Sequence, residues 1–430
     1  MLRTFLALVS IAAAVPPLAA QDSVAPSVTL DSIYRLVQTA SPRIAAANAL
    51  TAAAEARIAP ARRPPDPQLQ FGLMNRSLPG FGLSDPLGMN QIQVMQMVPF
   101  PGKLGLAGRV AAERAEGQRA RSADVAWDTR ARAAMEFYEI YRMDRSIAVA
   151  NETLRLLRDL GETARTMYGV GQGRQADVLR AQVEIARMDE ELTRMRTERV
   201  AAAARLNALL NRGDQPVANV VLPEFPESLP PLDTLVAEAQ ANRPMVRAGE
   251  ADVRSADAGV RLARREIWPD LTFGAQYGQR PMPDGTDHML SLMVGVTVPV
   301  FAGSRQLAMR REAEAMRLMA SADLEGMRAD TRGRVAELYA AVRRSRRLAE
   351  LYRGTILPQS RATVTSSLSS YRVGGVDFMT LLDNQMTVNR YRQELYQLDA
   401  EQGQALAELE MMLGRELFDA GRAAVEERAK

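Results

Sequence analysis

The stretch YGVGQGRQADVLRAQVEI occupies residues 168–185, and a related stretch, YRVGGVDFMTLLDNQMTV, occupies residues 371–388. Matching residues in the two stretches are separated by a constant offset of 203 positions. They are Tyr168, Val170, Gly171, Leu179 and Gln182, which correspond to Tyr371, Val373, Gly374, Leu382 and Gln385. A constant offset indicates that one structural unit occurs twice in the chain.

Landmarks on both sides of these stretches repeat at almost the same offset. Leu30 corresponds to Leu232 at 202 positions, and Val98 corresponds to Val298 at 200 positions. The chain is therefore predicted to be an internal duplication. The predicted organisation is a first repeat at residues 21–212, a Pro-rich linker at 213–231, a second repeat at 232–415 and a C-terminal tail at 416–430.

Residues 1–20 have the features of a secretory signal peptide. Arg3 precedes a short apolar segment at residues 6–15, and the small residues Ala19 and Ala20 precede Gln21. The segment is too short for a stop-transfer helix, so we predict cleavage on export rather than the alternative, an N-terminal anchor. No later apolar run reaches the roughly 18 residues that a helical membrane span requires.

Composition argues against several classes of function. The chain has no cysteine and a single histidine, His288, which leaves no residues for disulfides, thiol catalysis or cysteine–metal sites. The net charge is only +3, with basic and acidic residues interspersed, which is not typical of nucleic-acid binding. No nucleotide-binding motif is present. We therefore expect no enzyme activity, no cofactor, no metal site and no nucleic-acid partner.

Each repeat contains helices of unusual length. We predict a first helix at residues 29–59 and 233–266, two strands, a very long helix at 103–166 and 304–370, and a return helix at 175–211 and 377–413. At about 1.5 Å per residue the long helices approach roughly 100 Å, which exceeds an ordinary globular domain. Two stacked shorter helices can therefore run back along each long one.

The return helices carry apolar residues on alternating three- and four-residue steps. The residues are Ile185, Met188, Leu192, Met195, Ala202, Leu206 and Leu209 in the first repeat, and Val388, Tyr391, Leu395, Leu398, Ala405, Leu409 and Met412 in the second. This spacing predicts coiled-coil packing. A soluble helical bundle would show the same pattern, so the choice depends on the strands.

Four segments alternate apolar and polar or small residues with period two. Their apolar members are Leu69, Phe71 and Leu73; Ile92 and Val94; Leu271, Phe273, Ala275 and Tyr277; and Leu290, Leu292, Val294, Val296 and Val298. Alternation over about ten residues is typical of strands with lipid on one side and water on the other. A soluble sandwich is the alternative interpretation.

Four strands cannot close a barrel, and the backbone groups of an open edge cannot face lipid. Several protomers must then share one barrel, and three would give twelve strands. We therefore predict an α+β membrane protein, a trimeric β-barrel with four strands per protomer continued by a long α-helical coiled-coil barrel.

The order of elements, together with QMVPFPGKLGLAG at residues 96–108 and the 168–185 stretch, resembles the TolC family of outer membrane efflux proteins. The resemblance covers nearly all of the chain after the signal peptide. The PFPGK turn and the Y-x-V-G…D-V-L-x-A-Q segment are most similar to the heavy-metal (CusC/CzcC-like) branch. Members often carry a lipidated N-terminal cysteine, and this chain departs from the family there.

The resemblance implies a passive outer-membrane exit duct of a tripartite efflux pump, exporting small molecules or metal cations. Its expected partners are two further copies of itself, outer-membrane lipid, a periplasmic adaptor (membrane fusion) protein and an inner-membrane pump of the RND or ABC type. Two alternatives stay open: the duct of a type I protein secretion system, and a periplasmic coiled-coil spacer without a pore. The four alternating strands disfavour the spacer.

The breaks between the long and return helices are the candidate docking tips for the adaptor. Val170 and Gly171 lie at the first break, and Val373 and Gly374 lie at the second. Glycine alone is explained by the left-handed conformation that ends many helices. That explanation does not require the neighbouring valine, which both breaks retain.

Residues near the tips are the candidate periplasmic gate. Asp177, Asp377 and Asp383 would form rings of three carboxylates in a trimer if they face its axis, and such rings favour cations. A solvated coiled-coil face would carry the same residues. Family members close this end through polar links between hairpins, so we predict a hydrogen bond from the Tyr371 hydroxyl to Asp177. Val376 stands where members carry an arginine partner.

Seven of the 22 methionines fall in or beside the predicted strands. They are Met74, Met89, Met95, Met97, Met282, Met289 and Met293. Thioether sulfur binds soft cations such as Cu(I) and Ag(I). Adaptable apolar packing explains these methionines better and is the interpretation adopted from the sequence. The turn before Lys103 is interpreted as structural.

Overall fold

The computed structural model describes residues 28–75, 88–282 and 284–418. The predicted signal peptide and the loop at residues 79–82 lie outside these ranges. The first half contains α1 (Leu30–Ala40), α2 (Pro42–Ala56), α3 (Ile58–Ala61), β1 (Gln68–Met74), β2 (Met89–Val98), α4 (Lys103–Gly169) and α5 (Gln175–Leu209). The second contains α6 (Leu232–Asn242), α7 (Pro244–Arg265), β3 (Leu271–Met282), β4 (Gly285–Val296), α8 (Gln306–Leu351), a π-helical turn (Tyr352–Ile356), α9 (Leu357–Arg372) and α10 (Phe378–Leu413).

The first helix of each repeat is broken, and this corrects the prediction of one continuous helix. Ser41, between α1 and α2, has ψ 119°, and Arg243, between α6 and α7, has ψ 123°. Both residues precede a proline, whose ring pushes the preceding residue out of the helical region. The proline then begins the next helix, where a missing N–H costs nothing.

The second long helix contains one irregular turn, between α8 and α9. The π-helical residues Tyr352–Ile356 stand immediately before Leu357 and Pro358. Proline cannot donate to the carbonyl four residues earlier, and its ring crowds that carbonyl, so the helix widens there. The equivalent position of α4 holds Arg155, and α4 is uninterrupted.

The four strands form one antiparallel sheet in the order β1-β2-β3-β4. β1 and β2 come from the first repeat, whereas β3 and β4 come from the second. Opposed residues share a face, because side chains alternate along each strand. Phe71, Ile92, Tyr277 and Leu290 therefore lie in one row, as the predicted alternation requires.

The helices pack around three buried clusters. One joins α1, α4, α5 and α10, and Tyr138 and Phe137 of α4 are its largest fully buried members. Gly403 of α10 faces Tyr138 so closely that an added Cβ would lie 2.3 Å from its Cε1 atom. A second cluster lies near the hairpin ends and a third joins α6, α8 and α10. Among the described residues no helix combines the length and apolarity needed to cross a membrane.

Candidate functional site

The two hairpin tips have the same backbone hydrogen bonds. Gly171 N–H donates to Tyr168 O at 3.0 Å, and Gly374 N–H donates to Tyr371 O at 3.1 Å. The next residue in each turn donates five residues back, at 2.8 Å in both copies. Both glycines have left-handed φ values, +76° and +75°. This is the Schellman arrangement that satisfies the last carbonyls of a helix, and it explains the glycines.

The valines at the tips are not explained by this turn. Val170 is 64% exposed and Val373 is 83% exposed, although each occupies a cap position with an ordinary negative φ. A polar residue would satisfy the same backbone geometry and would be better solvated. The tips therefore present a pair of exposed apolar side chains in equivalent positions.

The return helices begin differently in the two repeats. Asp377 caps α10, because its carboxylate accepts a 3.0 Å hydrogen bond from Thr380 N–H. The Thr380 hydroxyl also donates to this carboxylate and, as the larger cause, lowers the pKa of Asp377. The equivalent residue before α5 is Arg174, which makes no side-chain cap. Helix capping thus accounts for Asp377, and Asp383 lies exposed on α10.

Asp177 and Tyr371 lie near each other but are not joined. Tyr371 is only 6% exposed, and its ring lies 5.8 Å from that of Phe378. Burial raises the pKa of Tyr371, and the negative charge of Asp177 raises it further. Within the described part of one protomer, no hydrogen bond connects the Tyr371 hydroxyl to Asp177. The predicted bond therefore stays a prediction for neighbouring hairpins of an assembly.

The sheet has one apolar and one polar face. In the single chain the apolar face is largely exposed, whereas the polar-face residues of the two central strands are mostly half-buried. Leu290, Leu292 and Val294 are 73%, 79% and 71% exposed on the apolar face. The opposite face carries glutamines, small residues and methionines, including the cross-strand row Gln70, Gln93, Gln276 and Ser291. A sheet of this kind separates an apolar medium from water.

A buried lysine connects the sheet to α4, a structural role for this turn whose partner residues the sequence did not indicate. Lys103 is 5% exposed, and its Nζ donates to Trp268 O and to Asp270 Oδ1, both at 2.9 Å. The same Asp270 oxygen accepts from Phe100 N–H at 2.8 Å. Glu266 lies 3.4 Å away from the ammonium. The Lys103 ammonium thus holds together the end of β2, the end of α7 and the start of β3.

Comparisons with known proteins agree with this architecture. The model of the outer membrane efflux protein family matches residues 33–212 and 235–415. Over 420 residues the chain is 24% identical to the pyoverdine export outer membrane protein OpmQ of Pseudomonas putida, covering 90% of this chain and 85% of OpmQ. Over 330 residues it is 23% identical to the cobalt-zinc-cadmium resistance protein CzcC of Cupriavidus metallidurans, covering 71% and 72% respectively.

The fold also matches a solved outer membrane protein. VceC of Vibrio cholerae superposes with a TM-score of 0.77 at 17% sequence identity, covering 90% of this chain and 97% of VceC. The predicted fold class is confirmed by this likeness and by the four-stranded sheet with its long helices.

Proposed function

This chain belongs to the outer membrane efflux protein family, and we propose that three copies of it form the passive exit duct of a tripartite efflux pump. The protein resides in the outer membrane and has a large periplasmic helical part. Channels of this family are trimeric. The proposed role needs no catalytic group, since an inner-membrane pump supplies the energy.

One observation carries the proposal: the sheet combines an exposed apolar face with two unpaired edges. In the described chain, β1 pairs only with β2 and β4 pairs only with β3. In lipid, each unpaired backbone group costs several kcal/mol. Pairing β4 of one protomer with β1 of the next removes both edges. Three protomers then close a twelve-stranded barrel with its polar face inside. A periplasmic coiled-coil spacer would not need such a barrel.

The exposed tips support a docking role. Val170 and Val373 are the apolar residues that the turn geometry does not require, and they lie at the end of the helices farthest from the sheet. We propose that hairpins of a periplasmic adaptor protein pack against them. Apolar side chains at the centre of an interface contribute most when fully desolvated.

The relatives suggest two classes of cargo. OpmQ is named for the export of pyoverdine and CzcC for resistance to cobalt, zinc and cadmium, and the sequence identity over the aligned residues is 24% and 23% respectively. We propose small molecules or metal cations as cargo. A passive duct lined mainly by uncharged residues, with Arg280 and Asp287 as charged exceptions in the described strands, does not need to select between them.

A matched pair of neighbouring residues tests the duct. Ser291 lies on the polar face and Leu292 on the apolar face of β4. Ser291→Lys should insert normally, conduct ions in liposomes and shift selectivity away from cations. Leu292→Lys should reduce insertion, because a lysine facing lipid costs about 2–4 kcal/mol near the bilayer midplane.

Wild-type protein should purify in detergent with the mass of a trimer and should give stable conductance. A monomeric mass without conductance would overturn the proposal. Equal insertion of the two lysine variants would overturn the assignment of the faces.

A further inference from the structure

The methionines of the sheet all lie on its polar face. Met95 pairs with Gly274, which pairs with Met293, and Gly278 pairs with Met289. Alternation along each strand places the remaining four, Met74, Met89, Met97 and Met282, on the same face. Within the described strand residues the apolar face has no methionine and instead carries leucine, valine, isoleucine and aromatic side chains.

Apolar packing does not predict this segregation. Methionine is an apolar, adaptable side chain, so packing alone would place some methionines on the apolar face. The polar face instead interleaves them with glutamine, serine, threonine and glycine. What distinguishes methionine from leucine there is its thioether sulfur, which is a neutral ligand for soft metal ions.

Two glycines of β3 allow the methionines to approach each other. A Cβ added to Gly274 would lie 3.3 Å from Met293 Cε and 3.7 Å from Met95 Cγ. Side chains from β2 and β4 therefore converge above the bare backbone between them. A Cβ added to Gly278 would lie 2.9 Å from Met89 Sδ, and Met289 is the residue opposite Gly278.

We propose that Met95 and Met293, over Gly274, form a thioether site for a soft monovalent cation, Cu(I) or Ag(I). Met89 and Met289 form a second site over Gly278, four residues or about 13 Å farther along β3. The proposal deepens the proposed function, because it rests on the polar face lining the duct. Successive neutral sites along a pore bind a cation well enough to admit it and weakly enough to release it.

Silver binding to the purified protein in detergent tests this site. Ag(I) is buffered with excess free methionine, so that only sites with more than one thioether retain it, and bound silver per protomer is measured after dialysis. Met95→Leu and Met293→Leu should each remove about one bound ion per protomer, and the double variant should remove no more than either single one. Shared ligation predicts this lack of additivity.

Two further variants complete the design. Gly274→Val keeps both sulfurs but fills the space between them, and it should lose the same ion. Met316→Leu with Met319→Leu, both on the exposed surface of α8, should lose none.

Unchanged silver binding in Met95→Leu and Met293→Leu would overturn the proposal, as would equal loss in the helical control. Liposome conductance of the same samples separates this failure from failure of the duct: normal conductance with unchanged silver binding refutes the thioether site alone.

Discussion

Replacing Glu410 with glutamine should stabilise the protein above neutral pH. Glu410 of α10 is 1% exposed and accepts a 2.7 Å hydrogen bond from Leu417 N–H through Oε1. Its other oxygen lies 3.5 Å from Arg130 Nη2, an ion pair without a hydrogen bond. Burial therefore outweighs the attraction to Arg130 and raises the pKa of Glu410 from 4.5 to about 7.

The sign and size of the effect follow from this pKa. The raised value favours the protonated form in the folded protein, so the stabilisation is complete below pH 4.5 and is lost as the pH rises through about 7. At about 1.4 kcal/mol for each tenfold change in proton affinity, the loss is about 3 kcal/mol per protomer. Glutamine resembles the protonated acid and does not ionise. The advantage of Glu410→Gln should thus grow from near zero below pH 4.5 to its full value above pH 7.

Thermal melting of the helical circular dichroism signal between pH 4 and pH 9 measures the difference. For a chain of this length about 3 kcal/mol corresponds to roughly 3–4 °C in Tm. Glu416→Gln is the matched control, because Glu416 also pairs with Arg130 but its side chain is 59% exposed. That variant should gain nothing at high pH. Parallel Tm curves for wild type and Glu410→Gln across this range would refute the reasoning.

Three further predictions concern the junction and the tips. Lys103→Met should lower stability by about 2 kcal/mol, because it leaves a half-buried carboxylate without its cation, and Lys103→Arg should recover part of the lost Tm. Gly171→Val combined with Gly374→Val should abolish efflux-dependent resistance while the trimer stays in the membrane. The reason is that β-branched residues resist the left-handed φ seen at both tips. Resistance equal to that of the wild type would contradict the docking role. Tyr371→Phe and Asp177→Ala should each raise single-channel conductance in planar bilayers at unchanged trimer yield, because each removes the predicted hydrogen bond of the periplasmic gate. Conductance equal to the parent in both variants would show that this pair does not hold the gate closed.

The regular elements could be predicted from the sequence because each has one dominant period. The heptad steps of α5 and α10 and the two-residue alternation of the strands both reappear in the structure. The irregularities of the helices are also encoded locally, at Pro42, Pro244 and Pro358, although the predicted helices run across all three prolines. The effect of proline on the local backbone is therefore sufficient to explain where the predicted continuous helices were wrong.

The buried charges could not be predicted, because they depend on contacts between distant parts of the chain. Glu410 is buried by α4 and by the segment at residues 416–418, and Phe418 packs edge-on against Phe225 with ring centroids 6.2 Å apart. Those residues belong to the predicted tail and linker, where no periodicity indicates packing. Lys103 likewise meets Asp270 across a separation of 167 residues that contains α4, α5, α6 and α7. Such residues become neighbours only in the folded chain, so no local pattern in the sequence indicates their contact.

A comparison of the two repeats shows which residues the backbone of the tips requires and which it only permits. Both turns keep glycine, because the left-handed φ needs it. They do not keep the same residue at the start of the return helix, where Arg174 stands in one and Asp377 in the other, so an aspartate cap is not required for the turn to form. Exposed valine is retained at both tips although neither the turn nor the core uses it. A feature that both copies share without a structural need supports the docking role proposed for the tips.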